Sequence, residues 1–260
     1  LRCRLLPAAG FACLLGACTP EPAASSPVRG SVPGLSVLTY NVNFERDGSE
    51  MLAAIASARP DVAFLQEVTP SFEVALRERF ADDYPTLLVR PALDEGGMAV
   101  LSRFPVEEVA WLDSPVGRFP AWCGRVSTPL GALDVLHVHL HPPLDENGLF
   151  TGYFTTGEAR RTEMAAHLRC FGDPPDVVLG DLNEEFGLAV SLVEAAGLRD
   201  AASRFPPPRR TWTWQVGPTE LEGRPDHVFV GTRWRPREVT VLETGGSDHR
   251  PVRVVLGRAP

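Results

Sequence analysis

Between Leu35 and Val42 apolar and polar side chains alternate, the period of a strand with one face in a core, and Asn41 and Asn43 stand at its end. Ser49 to Ala58 then reads as a helix, capped by Ser49 and stopped at Arg59-Pro60, because proline disfavours helical geometry in the residue before it. Val62 to Gln66 is a short apolar run that delivers Glu67 at its tip. Thr69-Pro70 opens a second helix, with threonine as N-cap and proline in the first turn, and Phe72, Leu76 and Phe80 recur along one face.

From Pro85 onward Gly and Pro separate short apolar segments at 86–89, 98–101, 106–111, 122–126 and 133–140, the spacing of an antiparallel meander. His137, His139 and His141 alternate and so share one strand face, which a solvent-facing polar surface would explain. Pro142 to Gly157 predicts a long loop bearing Phe150, Tyr153 and Phe154. A helix is expected from Thr156 to about Phe171, with Ala159, Met164, Leu168 and Phe171 on its inner stripe. The run Val177 to Gly180 reads as a buried strand that projects Asp181 and Asn183 to one side of its end. Leu188 to Ala196 is a further helix, stopped by Gly197, and strands at 211–214, 226–230, 238–242 and 252–256 close the chain. Strand–helix–strand units mixed with strand runs predict an α/β (α+β) chain, two sheets face to face with helices outside.

Composition adds limits rather than detail. The 260 residues, 44% hydrophobic and 22% charged, fit one large domain with an ordinary core. All 25 basic side chains are Arg, and the net charge of −8 argues against sequence-independent clamping of a polyanion. A nuclease whose metal ion brings its own positive charge stays open.

The N-terminal stretch has another character. Arg2 and Arg4 precede an apolar run from Leu5 to Ala17 that is too short to span a bilayer, as in a secretory signal. Leu15-Gly16-Ala17-Cys18 resembles a bacterial lipobox, which implies cleavage before Cys18, a lipid on its sulfur and residence in the cell envelope. Residues 1–17 are therefore expected to be a lipoprotein signal peptide, 18–33 a flexible tether rich in Pro, Ala and Ser, and 34–258 the folded domain. In that compartment Cys123 and Cys170 form a disulfide or remain two buried thiols; spacing alone leaves both open.

Asn41, Glu67, His139, Asp181 with Asn183, Asp226, and Asp248 with His249 all fall at the ends of expected strands. Singly each has a bland account: a solvated loop acid at Glu67, turn chemistry at Asp248-His249 after Gly245-Gly246. Together they make a poor set of independent accidents. The motifs Leu38-Thr39-Tyr40-Asn41-Val42, Phe64-Leu65-Gln66-Glu67-Val68, Gly97-Met98-Ala99-Val100-Leu101-Ser102, Val138-His139-Leu140, Gly180-Asp181-Leu182-Asn183, Pro225-Asp226-His227-Val228-Phe229-Val230 and Ser247-Asp248-His249-Arg250-Pro251 resemble those of the endonuclease/exonuclease/phosphatase superfamily. The resemblance runs from about residue 35 to residue 257 and rests on the order of the whole set.

That resemblance implies a four-layer α/β/β/α sandwich of two packed mixed sheets, acting as a monomer on a phosphate ester: nucleic acid, phospholipid head group or small ester. It implies Mg²⁺, with Mn²⁺ or Ca²⁺ as substitutes, held by Glu67, with Asn41 and Asp248 as further ligands. Asp181 would activate water, Asn183 hold that water or a phosphoryl oxygen, and His139 bond the phosphate; Asp226 would orient His249. Asn43 stands where some relatives carry an acidic ligand, and His141 competes with His139 for the phosphate-contacting place. For the substrate the signals conflict. Asp145 and Glu146 would repel a nucleic-acid backbone, while Arg209-Arg210-Thr211-Trp212-Thr213-Trp214 joins basic and aromatic groups as single-strand binders do, or else is a strand with tryptophans packed inward. A non-catalytic envelope lipoprotein using the same fold for binding is the alternative.

Overall fold

The computed structural model describes residues 34–45, 48–144, 148, 151–152, 155–205, 209–243 and 245–260. The expected signal peptide, tether and Cys18, together with Asp145, Glu146, Phe150, Tyr153 and Phe154, lie outside the described residues.

The first sheet is built from β1 (Leu35–Asn41), β2 (Val62–Gln66), β3 (Thr86–Arg90), β4 (Met98–Ser102), β13 (Trp234–Val241) and β14 (Val252–Arg258) in the order β13-β14-β1-β2-β4-β3. The second contains β5 (Val106–Leu112), β6 (Ala121–Thr128), β7 (Gly131–His139), β8 (Val177–Asp181), β9 (Arg199–Asp200) and β12 (Asp226–Val230) in the order β5-β6-β7-β8-β12-β9. Each sheet is mixed: β1–β2 and β7–β8 are parallel and the remaining pairs antiparallel. A hairpin, β10 (Trp212–Val216) with β11 (Thr219–Gly223), forms a third, two-stranded sheet, bridged through Trp212 to His249.

Strand alternation makes the layers. Val37, Val62, Phe64, Val135, Val177, Leu179, Val228 and Val254 point between the sheets. Their neighbours of opposite parity, Leu38, Tyr40, Ala63 and Leu65, pack outward on Met51 and Ile55 of α1 (Ser49–Ala58) and Phe72, Leu76 and Phe80 of α2 (Pro70–Phe80). On the far side Leu136, Val138, Val178 and Phe229 meet Met164 of α3 (Gly157–His167) and Ala189, Val190 and Val193 of α4 (Leu188–Ala195). The result is the expected four-layer α/β/β/α sandwich of two mixed sheets. Each large apolar side chain buried in these layers contributes about 1.5–3 kcal/mol, so the sequence period alone orders the stack. No helix among the described residues is long and apolar enough to cross a membrane.

Several local expectations are corrected. Ser49 is the first helical residue, not the cap; Gly48 occupies the cap position at φ 82° and gives no side-chain bond. Thr69 does cap α2, accepting from Phe72 N at 3.2 Å. The strand run from 86 to 140 is not one meander. It divides after β4, because Arg103 to Pro105 carries the chain from one sheet to the other. Helix α3 ends at His167 and buries Arg160, Glu163, Met164 and His167 in place of the apolar stripe; ion pairing and hydrogen bonds, such as Arg160 Nε to Glu184 Oε2 at 2.9 Å, make that polar face tolerable. Strand β11 and the short β9 had no periodic signal. Cys123 and Cys170 are bridged, tying β6 to the segment after α3.

Candidate active site

The inward parity of the strands that fills the core with valines ends, at one rim, in polar groups. Asn41 closes β1, Glu67 follows β2, His139 closes β7, Asp181 closes β8 and Asp226 opens β12, while the segment before β14 supplies Asp248 and His249. The alternating histidines are thus not a solvent face: His137 and His139 are 0% and 3% exposed and point at the opposite sheet.

Asn41 sits at the centre. Its Nδ2 donates to Glu67 Oε1 at 2.8 Å and to Asp181 Oδ2 at 3.1 Å, while its Oδ1 accepts from Asn43 N. Glu67 Oε2 accepts from Phe44 N at 3.2 Å, and Asp181 Oδ1 accepts from Asn183 N at 2.8 Å. His249 bridges two acids, with Nδ1 2.9 Å from Asp226 Oδ2 and Nε2 3.6 Å from Asp181 Oδ2. His139 Nδ1–H donates to Glu95 O at 3.1 Å, which turns Nε2 toward Asp181 Oδ2 at 3.7 Å and Glu67 Oε1 at 3.9 Å. His141 turns elsewhere: its ring Nδ1–H donates to Pro142 O at 2.8 Å, and its backbone N donates to Glu163 Oε2.

Two expected participants are engaged differently. The Asn183 side chain donates its Nδ2 to Leu140 O at 2.8 Å, joining the ends of β7 and β8. The Asp248 carboxylate accepts from Asn43 Nδ2 at 2.6 Å and Trp212 Nε1 at 3.0 Å, so it joins Glu67 only through Asn43 and Asn41.

The backbone here is held in rare geometry. Of four non-glycine residues with positive φ among the described residues, three are Asn43 at 53°, Glu67 at 62° and Asn183 at 54°. Such conformations cost on the order of 1–3 kcal/mol and persist where surrounding contacts enforce them, commonly at functional sites. Gly180 at φ 135° is obligatory for a second reason: a Cβ there would lie 1.9 Å from Val138 O, so only glycine lets β8 approach β7 before Asp181.

Charge is concentrated and barely compensated. Burial pushes the Glu67 carboxyl up, against the pull of His139 and the Asn41 bond. Burial likewise raises Asp226, opposed by His249. For His249 burial works toward the neutral ring, but the charges of Asp226 and Asp181 prevail and raise it to about 10. Asp248 lies low: burial opposes its charge, and His249, Asn43 and Trp212 outweigh that.

The donor set fits a hard divalent cation. Asp181, Asp226 and His249 bring ligand atoms within 4.8 Å of one another, yet the imidazolium of His249 already supplies the positive charge there. The Glu67 oxygens, by contrast, receive hydrogen bonds from the neutral Asn41 and Phe44 donors. A largely buried carboxylate with a second acid close by suits a divalent cation.

Some site residues were not expected to take part. Thr211 Oγ1 donates to Asp226 Oδ2 at 2.7 Å, and Phe119 stacks on His139 at 4.2 Å between ring centroids, with Arg118 Cζ 5.3 Å from the Phe119 centroid. Thr211 was legible only as part of an expected strand, and Phe119 lies between strands. Arg209 and Arg210, read as possible nucleic-acid contacts, are paired with Glu243 and Glu185, and Trp214 is 44% exposed.

The sequence model of the Endonuclease/Exonuclease/phosphatase family matches residues 38–249, from β1 to His249. The chain belongs to this family. Solved structures similar to this family member include an endonuclease/exonuclease/phosphatase from Beutenbergia cavernae, 21% identical with a TM-score of 0.69, covering 87% of this chain and 72% of that one. TDP2 from D. rerio complexed with single strand DNA product is 18% identical with a TM-score of 0.67, covering 86% and 99%. A functionally unknown conserved protein from Enterococcus faecalis is 20% identical with a TM-score of 0.64, covering 86% and 100%. At these identities the likeness establishes the fold alone. No curated protein matches the sequence.

Proposed function

We propose that this family member is a metal-dependent phosphoesterase that hydrolyses a phosphodiester or phosphomonoester. The observation that carries the proposal is the reach of Asn41 Nδ2 to Glu67 and Asp181 at once, with the Asp226–His249 pair alongside. In it Asp181 takes the proton of the attacking water, its Oδ1 fixed by Asn183 N. Asp226 holds the His249 ring so that Nε2–H faces the phosphoryl oxygens, and His139, whose Nδ1–H is held by Glu95 O, donates to them only from a ring that also carries a proton on Nε2. Asn183 keeps the ends of β7 and β8 in register through Leu140. Glu67, with Asn41 and Asp248 as further ligands, would hold a divalent cation, and that ion would supply charge neutralisation at the phosphoryl group; Mg²⁺ is the first choice, Mn²⁺ or Ca²⁺ the substitutes.

For the substrate, paired Arg209 and Arg210 and the net charge of −8 favour a small ester or phospholipid head group over nucleic acid. Single strand DNA product, bound by the D. rerio TDP2, keeps nucleic acid in the panel. The lipobox-like Leu15-Gly16-Ala17-Cys18 supports export, with the 34–258 domain tethered to the cell envelope through a lipid on Cys18 and working as a monomer. The test is a panel of phosphate esters with Mg²⁺, Mn²⁺ and Ca²⁺, beside calorimetric titration of each ion. Ion binding with turnover supports the enzyme. Turnover of no ester, with or without ion binding, replaces it with a binding module.

A further inference from the structure

The site draws on both sheets: Asn41 and Glu67 leave the first, and His139, Asp181 and Asp226 belong to the second. Their spacing therefore depends on how far apart the sheets are held at this rim. The layer beneath is largely apolar, and apolar contact is non-directional. A buried polar contact crosses it. Gln66 Nε2 stands 2.5 Å from His137 Nε2, where Gln66 immediately precedes Glu67 and His137 lies two residues before His139 on the same strand face.

An amide nitrogen only donates, so His137 Nε2 accepts and the ring is the neutral Nδ1–H tautomer. Burial pushes the imidazole down to about 3 and keeps it neutral. Gln66 is fixed from its own sheet, since its second Nε2–H lies between Thr39 Oγ1 at 3.1 Å and Phe64 O at 3.3 Å. Thr39, Gln66 and His137 are all 0% exposed, and the Phe64 ring meets the His137 ring edge-on at 5.4 Å. His137 Nδ1 has no hydrogen-bond partner. A buried unmade bond costs stability, so an apolar ring of the same shape would serve the core better. The histidine makes sense for what its other nitrogen holds.

We propose that His137 is a positioning residue: by anchoring Gln66 across the interface it sets the separation of the sheets beneath the site, and with it the reach from Asn41 and Glu67 to Asp181. Its kinetic consequence rests on the phosphoesterase function proposed above; its structural consequence does not.

His137→Phe keeps the ring against Phe64 and removes the acceptor, and His137→Gln returns a carbonyl acceptor near the place of Nε2. The experiment measures kcat, KM and thermal midpoint for both variants, and determines the crystal structure of metal-free His137→Phe. The expected result is a kcat lowered about tenfold to a hundredfold in His137→Phe, since small misplacements at a reacting centre cost that much. KM stays within about twofold and the midpoint is unchanged or higher, because no core volume is lost. His137→Gln recovers most of the rate, and the Asn41 Nδ2 to Asp181 Oδ2 contact of 3.1 Å lengthens in His137→Phe beyond hydrogen-bond range. An unchanged kcat, or an Asn41–Asp181 contact kept at its wild-type length, overturns the proposal. If the wild-type protein turns over no ester, the phosphoesterase function fails and the crystal comparison alone decides. Should His137→Phe not fold, Gln66→Leu breaks the same contact from the other side and is judged by the same two results.

Discussion

Asn41 and Asp181 meet across the interface of the two sheets, Nδ2 to Oδ2 at 3.1 Å, and the same nitrogen donates to Glu67 at 2.8 Å. One neutral amide thus holds two carboxylates together without cancelling either charge. That arrangement leaves the negative potential available to a cation and aligns Asp181, the carboxylate proposed to take the proton of water.

Replacing the amide is therefore expected to hurt twice. Asn41→Leu removes the shared donor and leaves two buried acids in mutual repulsion. Activity should fall about a hundredfold, and divalent-ion affinity should weaken, measured by steady-state kinetics and by calorimetry. An affinity and kcat within about twofold of wild type would show that the amide is a bystander.

The Asp226–His249 pair predicts a different profile. Asp226→Asn keeps the shape but removes the charge that holds the imidazolium, so kcat should fall on the order of 10³-fold with KM little altered. Thr211→Val removes two hydrogen bonds with Asp226, Oγ1 to Oδ2 and Asp226 N to Oγ1, each worth about 0.5–1.5 kcal/mol, and should cost no more than about a hundredfold in rate. If the threonine variant loses as much as the aspartate variant, Thr211 does more than support Asp226.

Acid sensitivity should be traceable to a buried histidine remote from the rim. His167 on α3 is 1% exposed, and burial lowers it from 6.5 to about 4. The unfolded chain then takes up a proton that the folded one refuses, so the neutral ring's contribution is complete above pH 6.5 and is lost as pH falls toward about 4. Urea unfolding at pH 7 and pH 5 should show wild type losing roughly 2 kcal/mol more than His167→Phe over that interval. Equal losses would contradict a neutral buried ring. Asp200 acts in the same sense in a lower window: burial opposes its charge, the His227 and Arg224 contacts prevail, and its carboxyl sits at about 2, so its contribution is complete above the ordinary aspartate range and is lost as pH falls toward about 2.

The Cys123–Cys170 bridge closes a loop with a sequence separation of 47. Constraint of the unfolded chain by such a loop is worth about 4 kcal/mol. Cys123→Ala with Cys170→Ala, or reduction of the wild-type protein, should lower the unfolding free energy by that order, while metal-dependent activity at 25 °C survives. Unchanged stability on reduction would mean that the bridge closes nothing the core does not already hold.

How much of this was legible in the sequence differs by feature. The ends of β1, β2, β7, β8 and β12 were readable because a run of valines and leucines stops at a polar residue of fixed parity, and that parity aims Asn41, His139, Asp181 and Asp226 into one layer. Parity does not say which face meets solvent, so His137 and His139 read as exposed when the other sheet covers them. Helix α3 misled for a related reason: Arg160 and Glu163 look solvated until Glu184, Ser114 and His141 arrive from distant segments to pair with them. The meander after Pro85 divided between sheets because a crossover of three residues leaves no trace in composition. Thr211, Phe119 and Asn43 act through contacts made only in three dimensions.

The central claim is that Glu67 and Asp181 form one metal-dependent hydrolytic site, and hydrolysis of bis-p-nitrophenyl phosphate tests it most directly. Wild type, Glu67→Gln and Asp181→Ala would be assayed with Mg²⁺, with Mn²⁺ and with chelator. The account predicts turnover by wild type that chelator abolishes and that each substitution lowers by about 10²–10⁴-fold. Turnover that persists without metal, or that is equal in all three proteins, would contradict it.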